Sequence, residues 1–337
     1  MADEKLDFTR LMEMAGGHAE ARAIQTALKL GLFEALHPDE RDSDALAAAI
    51  HCEARATMLL ANTLVALGLL HKNAGRYALT DAARRFLLER SPEYLGGMIL
   101  FDEALWSTWG KLDESIRSGQ PARTPDMYQS HPDETGRFIR AMDSLVRARG
   151  DAVWTAQTLD LSGAQVVADL GGGPGTYLIE FLRRWPHLHG ILFDLPATLD
   201  VTRQLVSGHD GALRERLTLH ELDYNLDEIP GPLDVIFMSN IIHSEHEAAN
   251  SALIAKCFRA LASGGLLVIK DHIMEPELTV PAVGAVFSLY LLLTTRGRDY
   301  SFEEVVEWEH GAGFTDIRLQ ALPSPPFSSS MVLARKP

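Results

Sequence analysis

The chain has 337 residues, 46% apolar and 23% charged, and its 46 acidic against 31 basic side chains give a net charge of −15. At about 150 residues per domain this is length for two domains and a large core. The acidity counts against nucleic-acid and anionic-membrane partners, whose surfaces are themselves negative. Two cysteines, Cys52 and Cys257, exclude a disulfide framework and a cysteine-based zinc site, and no metal is expected.

The opening MADEKLDFTR has no basic start followed by an apolar core, so a cytoplasmic location is expected. Residues Glu20 to Leu36 place Ala23, Ala27, Leu30 and Phe33 near helical spacing, with Gly31 interrupting late. Ser43-Asp44 reads as an N-cap before LAAAI, and Glu53 to Leu70 as a longer apolar helix. His71 to Thr80 (HKNAGRYALT) carries Asn73 and Gly75 between short extended runs, a hairpin signature. Helices followed by a hairpin make a winged-helix pattern. Its recognition helix would be about Arg55 to Leu70, a run dominated by Leu, Val and Ala with one arginine. Reading DNA needs exposed basic and amide side chains, so this helix reads as a packing element.

From about Val166 short β-rich runs alternate with helical stretches. The runs are VVADL, GILFDL, LTLHELD, DVIFMSN and LLVIKDHI; Tyr177 to Trp185 and Glu247 to Leu261 are among the helices. The alternation predicts an α/β domain with a mostly parallel sheet covered on both faces. Ligands in such sheets bind beyond the carboxyl ends of the strands, so the residues after each run matter most. The apolar run Val280 to Leu293 is 14 residues with Pro281 and Gly284 inside, short of the roughly 20 that span a bilayer, and reads as a buried helix. The segment Pro323 to Ser330 (PSPPFSSS) is the nearest approach to low complexity.

After the first run stands Asp169-Leu170-Gly171-Gly172-Gly173-Pro174-Gly175, a turn whose glycines let a ligand approach the backbone ahead of a helix N-terminus. The dinucleotide pattern GxGxxG would need glycine where Thr176 stands, which disfavours a nicotinamide-dependent oxidoreductase. Asp194, after the second run, suits two vicinal ribose hydroxyls, which nicotinamide and adenosine cofactors share. Asp223-Tyr224, after the third, supplies an acid for an adenine amino group and a ring to cover its face. The fourth run ends in Ser239-Asn240-Ile241-Ile242-His243-Ser244-Glu245-His246. An imidazole titrating near pH 6.5 suits a general base there. His243 is preferred to His246, which enters the following helix.

These residues resemble the S-adenosylmethionine-dependent O-methyltransferases of the plant caffeate and isoflavone type and their bacterial natural-product relatives. The resemblance also rests on ALKLGLFEAL, LLANTLVALGLLHKNAGRYALT, DLGGGPG and GRDYSFEEVVEWEHGAGF, and covers nearly the whole chain. It implies a Rossmann-like S-adenosyl-L-methionine-binding sheet domain preceded by a mainly helical, winged-helix-like dimerisation domain. The divisions it suggests are 1–105 for dimerisation, 106–160 for a helical linker contributing to the acceptor pocket, and 161–337 for the methyltransferase domain. By resemblance Gly171 and Gly173 contact the cofactor, Asp194 with Leu195 holds its ribose, and Asp223 with Tyr224 frames the adenine. Ser239 stands where many relatives carry a basic residue of the same site.

His243 occupies the family's catalytic position, in His-Ser-Glu rather than His-Asp-Trp. Asp271 and Asp299 take the places of two acids that hold the imidazole, each one methylene shorter than the usual glutamate. His243 is then the base that takes the proton of a small-molecule hydroxyl, with Asp271 and Asp299 orienting it. An aromatic or polyketide-like acceptor is expected, with Trp106, Trp109, Met142 and Phe287 as the preferred pocket residues over Phe101, Phe138 and Leu291. The altered triplet leaves open a relative that performs N- or C-methylation, hydroxylation or decarboxylation. Relatives dimerise through the N-terminal helices, so a homodimer is expected.

Overall fold

The computed structural model describes residues 6–322 and 329–337, and the segment PSPPFSSS therefore lies largely outside the described residues. The chain forms two compact units, 1–105 and 106–337.

In the first unit a long helix, Phe8–Lys29, is capped by the Asp7 carboxylate, which accepts from the Arg10 amide. Gly31, at φ +70°, turns the chain into the short helix Leu32–Ala35. The next helix, Ser43–Ala49, is capped by Asp42 rather than by the expected Ser43-Asp44. Asp42 is the residue whose carboxylate reaches a free first-turn amide, that of Ala45. Glu53 caps Ala54–Ala66, which ends four residues before the expected Leu70 because Leu70 opens strand β1. Strands β1 (Leu70–Asn73) and β2 (Arg76–Leu79) form the hairpin, joined through Ala74 and Gly75, both at positive φ. Ala27, Phe33, Leu46, Ala61, Leu64, Leu70 and Tyr77 form this unit's core.

The second unit is built on a seven-stranded sheet. Its strands are β3 (Val166–Leu170), β4 (His189–Asp194), β5 (Leu217–Glu221), β6 (Leu233–Ser239), β7 (Leu261–Asp271), β8 (Thr315–Ala321) and β9 (Ser330–Arg335). The order is β5-β4-β3-β6-β7-β9-β8, parallel from β5 to β7, with β9 antiparallel to both neighbours. Alternating side chains feed two cores. Val167, Val235, Phe237 and Val268 meet Leu178, Phe181 and Leu199 on one face. Ala168, Ile236, Met238 and Ile269 meet Leu253, Ile254 and Val305 on the other. Burial on both faces is why these strands read as continuous apolar runs.

The apolar run near residue 280 forms the helix Ala282–Thr294, but it is not wholly buried: Val286 is 62% exposed and Leu289 lies at the surface too. One stripe of the helix, Ala282, Val286 and Leu289, is exposed, while Gly284, Leu291, Leu293 and Thr294 are buried. Among the described residues no helix is long and apolar enough to cross a membrane.

Candidate active site

The strand order places the chemistry. The chain winds outward from β3 through β4 to β5, then returns to β6 and β7 on the other side of β3. The loops after β3 and β6 therefore part and leave a crevice beyond the strand ends. Residues after β3, β4 and β5 form one wall and residues after β6 and β7 the other.

On the first wall, Gly171, Gly173 and Gly175 all have positive φ, so the turn after β3 requires glycine. Its underside is packed: a Cβ at Gly171 would collide with Ile241, and one at Gly172 would lie 2.7 Å from Leu192 and 2.8 Å from Asp169. Above Gly173 a Cβ would meet only Ile139, at 3.9 Å. The loop is fastened by Thr202, whose hydroxyl donates to the Gly173 carbonyl at 2.6 Å. The next helix, Thr176–Arg184, is tied by Thr176 Oγ1 to Asp143 Oδ1 at 2.8 Å. Ile139, Met142 and Asp143 all belong to the helix Pro132–Arg149, which brings half-buried Met142 to this region.

Asp194 ends β4 with its carboxylate fixed from both sides: Oδ2 accepts from the Gly173 amide at 2.8 Å and Oδ1 from the Leu195 amide at 2.7 Å. Burial pushes its pKa up to about 6 against the pull of those amides, so at neutral pH it is an anion with lone pairs to spare. Sequence reasoning names Asp169 at the head of the turn but assigns it no role. It is buried with Oδ2 lacking a partner, and burial together with the Asp194 charge raises it to about 8, a protonated acid beneath the loop. Its place at the head of DLGGGPG was the available signal.

Tyr224 lies beside Gly171, its ring 3.7 Å from where a Cβ there would sit. Its hydroxyl donates to Glu245 Oε1 at 3.3 Å, and Asn225 Nδ2 donates to the same oxygen at 2.8 Å. Asp223 Oδ1 accepts from the Asn225 amide, holding the turn. Lys256 Nζ donates to the carbonyls of Tyr224, Asn225 and Asp227. Ser239 ends β6 half-buried, its hydroxyl accepting from Asn240 Nδ2.

On the second wall, His243 sits on the 3-10 turn Ile242–Ser244 just past β6. Its Nδ1 is 2.7 Å from Asp271 Oδ1, at the end of β7, and both residues are buried. The adjacency of β6 and β7 makes this pairing. Asn250 Nδ2 donates to the carbonyls of Ile242 and Glu245, and the Tyr300 hydroxyl to that of Glu245, so the turn is pinned on both sides of the imidazole. Gly297 packs against the His243 backbone, where any Cβ would collide. His246 caps the helix Glu247–Ala260, accepting from the Ala249 amide, a structural position.

Burial opposes charge on His243, but the attraction and hydrogen bond of Asp271 and the more distant Asp299 outweigh it, and the imidazole pKa is raised above 6.5. Asp271 is lowered despite its burial, chiefly by His243. Asp299 joins this group, one polar atom from each of His243, Asp271 and Asp299 lying within 4.8 Å of the others. It is 2% exposed and makes no hydrogen bond to His243; its Oδ2 faces His272 Nδ1 at 3.6 Å. The Asp299 amide donates to Ser288 Oγ at 3.1 Å. His272, in the run IKDH, went unread as a site residue because it directly follows Asp271, and strand alternation places neighbours on opposite faces. The strand ends at Asp271, and alternation ends with it.

Phe287 meets both histidines edge-on, its ring centre 5.2 Å from that of His243 and 5.1 Å from that of His272, and stacks on Tyr290. Trp106 and Trp109 lie on the short helix Trp106–Trp109, which packs on the helix bearing Phe287. With Gly110 they line an apolar pocket, and Trp106 is 42% exposed. No hydrogen bond or ring contact among the described residues joins Trp109 to His243.

Residues 117–315 match the family model of the O-methyltransferase domain, and residues 12–89 that of the O-methyltransferase dimerisation domain. The chain is 30% identical to the tetracenomycin polyketide synthesis 8-O-methyl transferase of Streptomyces glaucescens, over 94% of this chain and 93% of that one. It is 29% identical to the 3-hydroxy-5-methyl-1-naphthoate 3-O-methyltransferase of Streptomyces sahachiroi, over 94% and 92%. Its fold superposes on human N-acetylserotonin methyltransferase in complex with S-adenosylmethionine with a TM-score of 0.88, at 24% identity, covering 100% of this chain and 99% of that one. The matched domain includes the glycine loop, the twice-anchored acid at the end of β4 and the buried imidazole–carboxylate pair. The chain belongs to the S-adenosylmethionine-dependent O-methyltransferase family, and it methylates hydroxyls of small molecules.

Proposed function

We propose that this enzyme methylates a hydroxyl of an aromatic or polyketide-like acceptor, with His243 as general base. The observation that carries the reading is the 2.7 Å contact of His243 Nδ1 with Asp271 Oδ1, both buried at the strand ends facing the glycine loop. S-adenosylmethionine, when bound, supplies a methyl group already activated by its sulfonium charge. The crevice fits it: the open backbone above Gly173 offers the only relief in a packed turn, and the twice-anchored Asp194 presents lone pairs for the ribose hydroxyls. Gly171, Gly173, Leu195 and Ser239 flank that space, and Asp223 with Tyr224 frames the adenine.

The remaining tasks are to hold the acceptor hydroxyl in line and take its proton. His243 Nε2 takes the proton. Asp271 Oδ1 fixes the Nδ1–H tautomer and stabilises the imidazolium that forms. Asp299 adds a second negative charge nearby. Phe287 provides an aromatic wall against which a planar acceptor lies, and Met142, Trp106 and Trp109 extend the apolar lining. Relatives that act on a naphthoate and on tetracenomycin polyketide synthesis support an acceptor of this shape.

His243→Ala is expected to lower kcat by about 10²–10⁴-fold. S-adenosylhomocysteine should bind the variant as tightly as wild type by calorimetry. Full turnover by the variant on an accepted phenol would exclude His243 as the base. We further propose a homodimer formed through the N-terminal unit, on the strength of the dimerisation-domain match.

A further inference from the structure

The site contains two imidazole–carboxylate pairs, and the reaction uses one. In the first, His243 Nδ1 bonds Asp271 Oδ1, which also accepts from the His272 amide at 2.9 Å. In the second, His272 Nδ1 faces Asp299 Oδ2 at 3.6 Å, too long for a hydrogen bond. His272 Nδ1 and both Asp299 carboxylate oxygens are buried without any hydrogen-bond partner. His272 is 7% exposed, and both rings stand edge-on to Phe287 at nearly the same distance. A buried polar trio left unpaired is costly unless binding completes it.

We propose that His272, backed by Asp299, is an acceptor-binding residue that receives a second hydroxyl of the acceptor, on the ring carbon next to the one whose proton goes to His243. The logic repeats that of the first pair. With Nδ1 turned to a buried carboxylate, Nε2 is the nitrogen left to accept a hydrogen bond from an O–H. Closing that bond makes Nδ1–H a better donor and draws it onto Asp299, whose backbone is fixed by Ser288. Phe287, touching both imidazoles, provides the face on which one planar ring reaches both. The enzyme thus prefers ortho-dihydroxylated rings over otherwise equal monohydroxylated ones. A singly methylated product has lost one of the two O–H donors and binds less well.

The inference rests on the proposed role of His243, and the test separates the two. Binding of 2,3-dihydroxynaphthalene and of 2-naphthol is measured by calorimetry on the full-length enzyme saturated with S-adenosylhomocysteine, for wild type, His272→Phe, His272→Gln and His243→Ala. The diol should bind wild type at least tenfold more tightly than 2-naphthol. His272→Phe should bring that ratio to within about twofold of one, and His272→Gln, which keeps an acceptor, should restore part of it. Melting temperature within a few degrees of wild type certifies each variant as folded. His243→Ala should lose turnover while keeping a preference for the diol, and a variant that keeps turnover sinks the base assignment alone. Failure of the diol to bind wild type better than 2-naphthol, up to the solubility of either, overturns the proposal. So does a His272→Phe enzyme whose ratio is unchanged.

Discussion

A side chain at position 172 and one at position 173 would fail for different reasons. At Gly172 the space below is filled by Leu192 and Asp169, so alanine overpacks the turn. A loss of about 1–3 kcal/mol is expected, read as a lower denaturation midpoint. At Gly173 the space is open but φ is +52°, and a methyl group there would occupy the proposed cofactor cradle. Gly173→Ala should therefore weaken S-adenosylhomocysteine binding by more than tenfold while costing about 1–2 kcal/mol of stability from the left-handed backbone alone. If the two variants behave alike in calorimetry and denaturation, the cradle is misplaced. As the proposed base, His243 should carry the pH dependence. The base works unprotonated, so kcat/KM rises with pH through its pKa, and that pKa is raised, placing the midpoint above 6.5. Asp271→Asn removes the attraction and leaves burial to lower the imidazole, so the midpoint should move to lower pH as the rate falls. A profile unmoved by Asp271→Asn would detach the pH dependence from His243.

Elements gather these residues, and the helix Phe8–Lys29 has the clearest surface consequence. Leu6, Phe8, Leu11, Met12 and Met14 are exposed along its start, next to the segment matched by the dimerisation model. An apolar patch of this kind marks an association surface. Phe8→Glu with Leu11→Glu should convert a homodimer to a monomer in sedimentation velocity; an unchanged sedimentation coefficient would move the interface elsewhere. The strand ends were the legible part of the sequence. VVADL, GILFDL and DVIFMSN are unbroken apolar runs because both faces are covered, and each delivers Asp169, Asp194 or His243 to the crevice. Strands β8 and β9 were not anticipated. Thr315–Ala321 is mostly exposed and edges the sheet, so it lacks the apolar signature of a covered strand. Helix Ala282–Thr294 reads as wholly apolar, yet exposes Val286, because composition reports the residues and not which stripe is covered. The pairing of His272 with Asp299 was illegible for a related reason. Their pairing depends on the turn that follows β7 and on a loop about 27 residues later, a separation that periodicity does not encode.

For the whole molecule, every residue of the proposed cofactor site lies in the unit 106–337. S-adenosylhomocysteine at a hundred times its Kd stabilises its folded site by about 2.7 kcal/mol, which for a unit of some 230 residues raises Tm by roughly 5–10 °C. A two-step melt should show the shift in the transition of residues 106–337, tracked through Trp109 and Trp185; a shift in the other transition alone would displace the proposed cofactor site. Glu245 carries one more consequence. It accepts from Tyr224 and Asn225 with its side chain, while its backbone carbonyl accepts from Tyr300 and Asn250, two residues past the imidazole. A ligand that presses on the Tyr224 ring therefore works against the same turn that sets the direction of His243. With the proposed adenine site, the two ligands should be energetically linked, and linkage is symmetric: whatever factor the donor adds to acceptor affinity, the acceptor should return to the donor. Replacing Glu245 with alanine should bring that factor toward one, read by calorimetry of acceptor binding with and without S-adenosylhomocysteine.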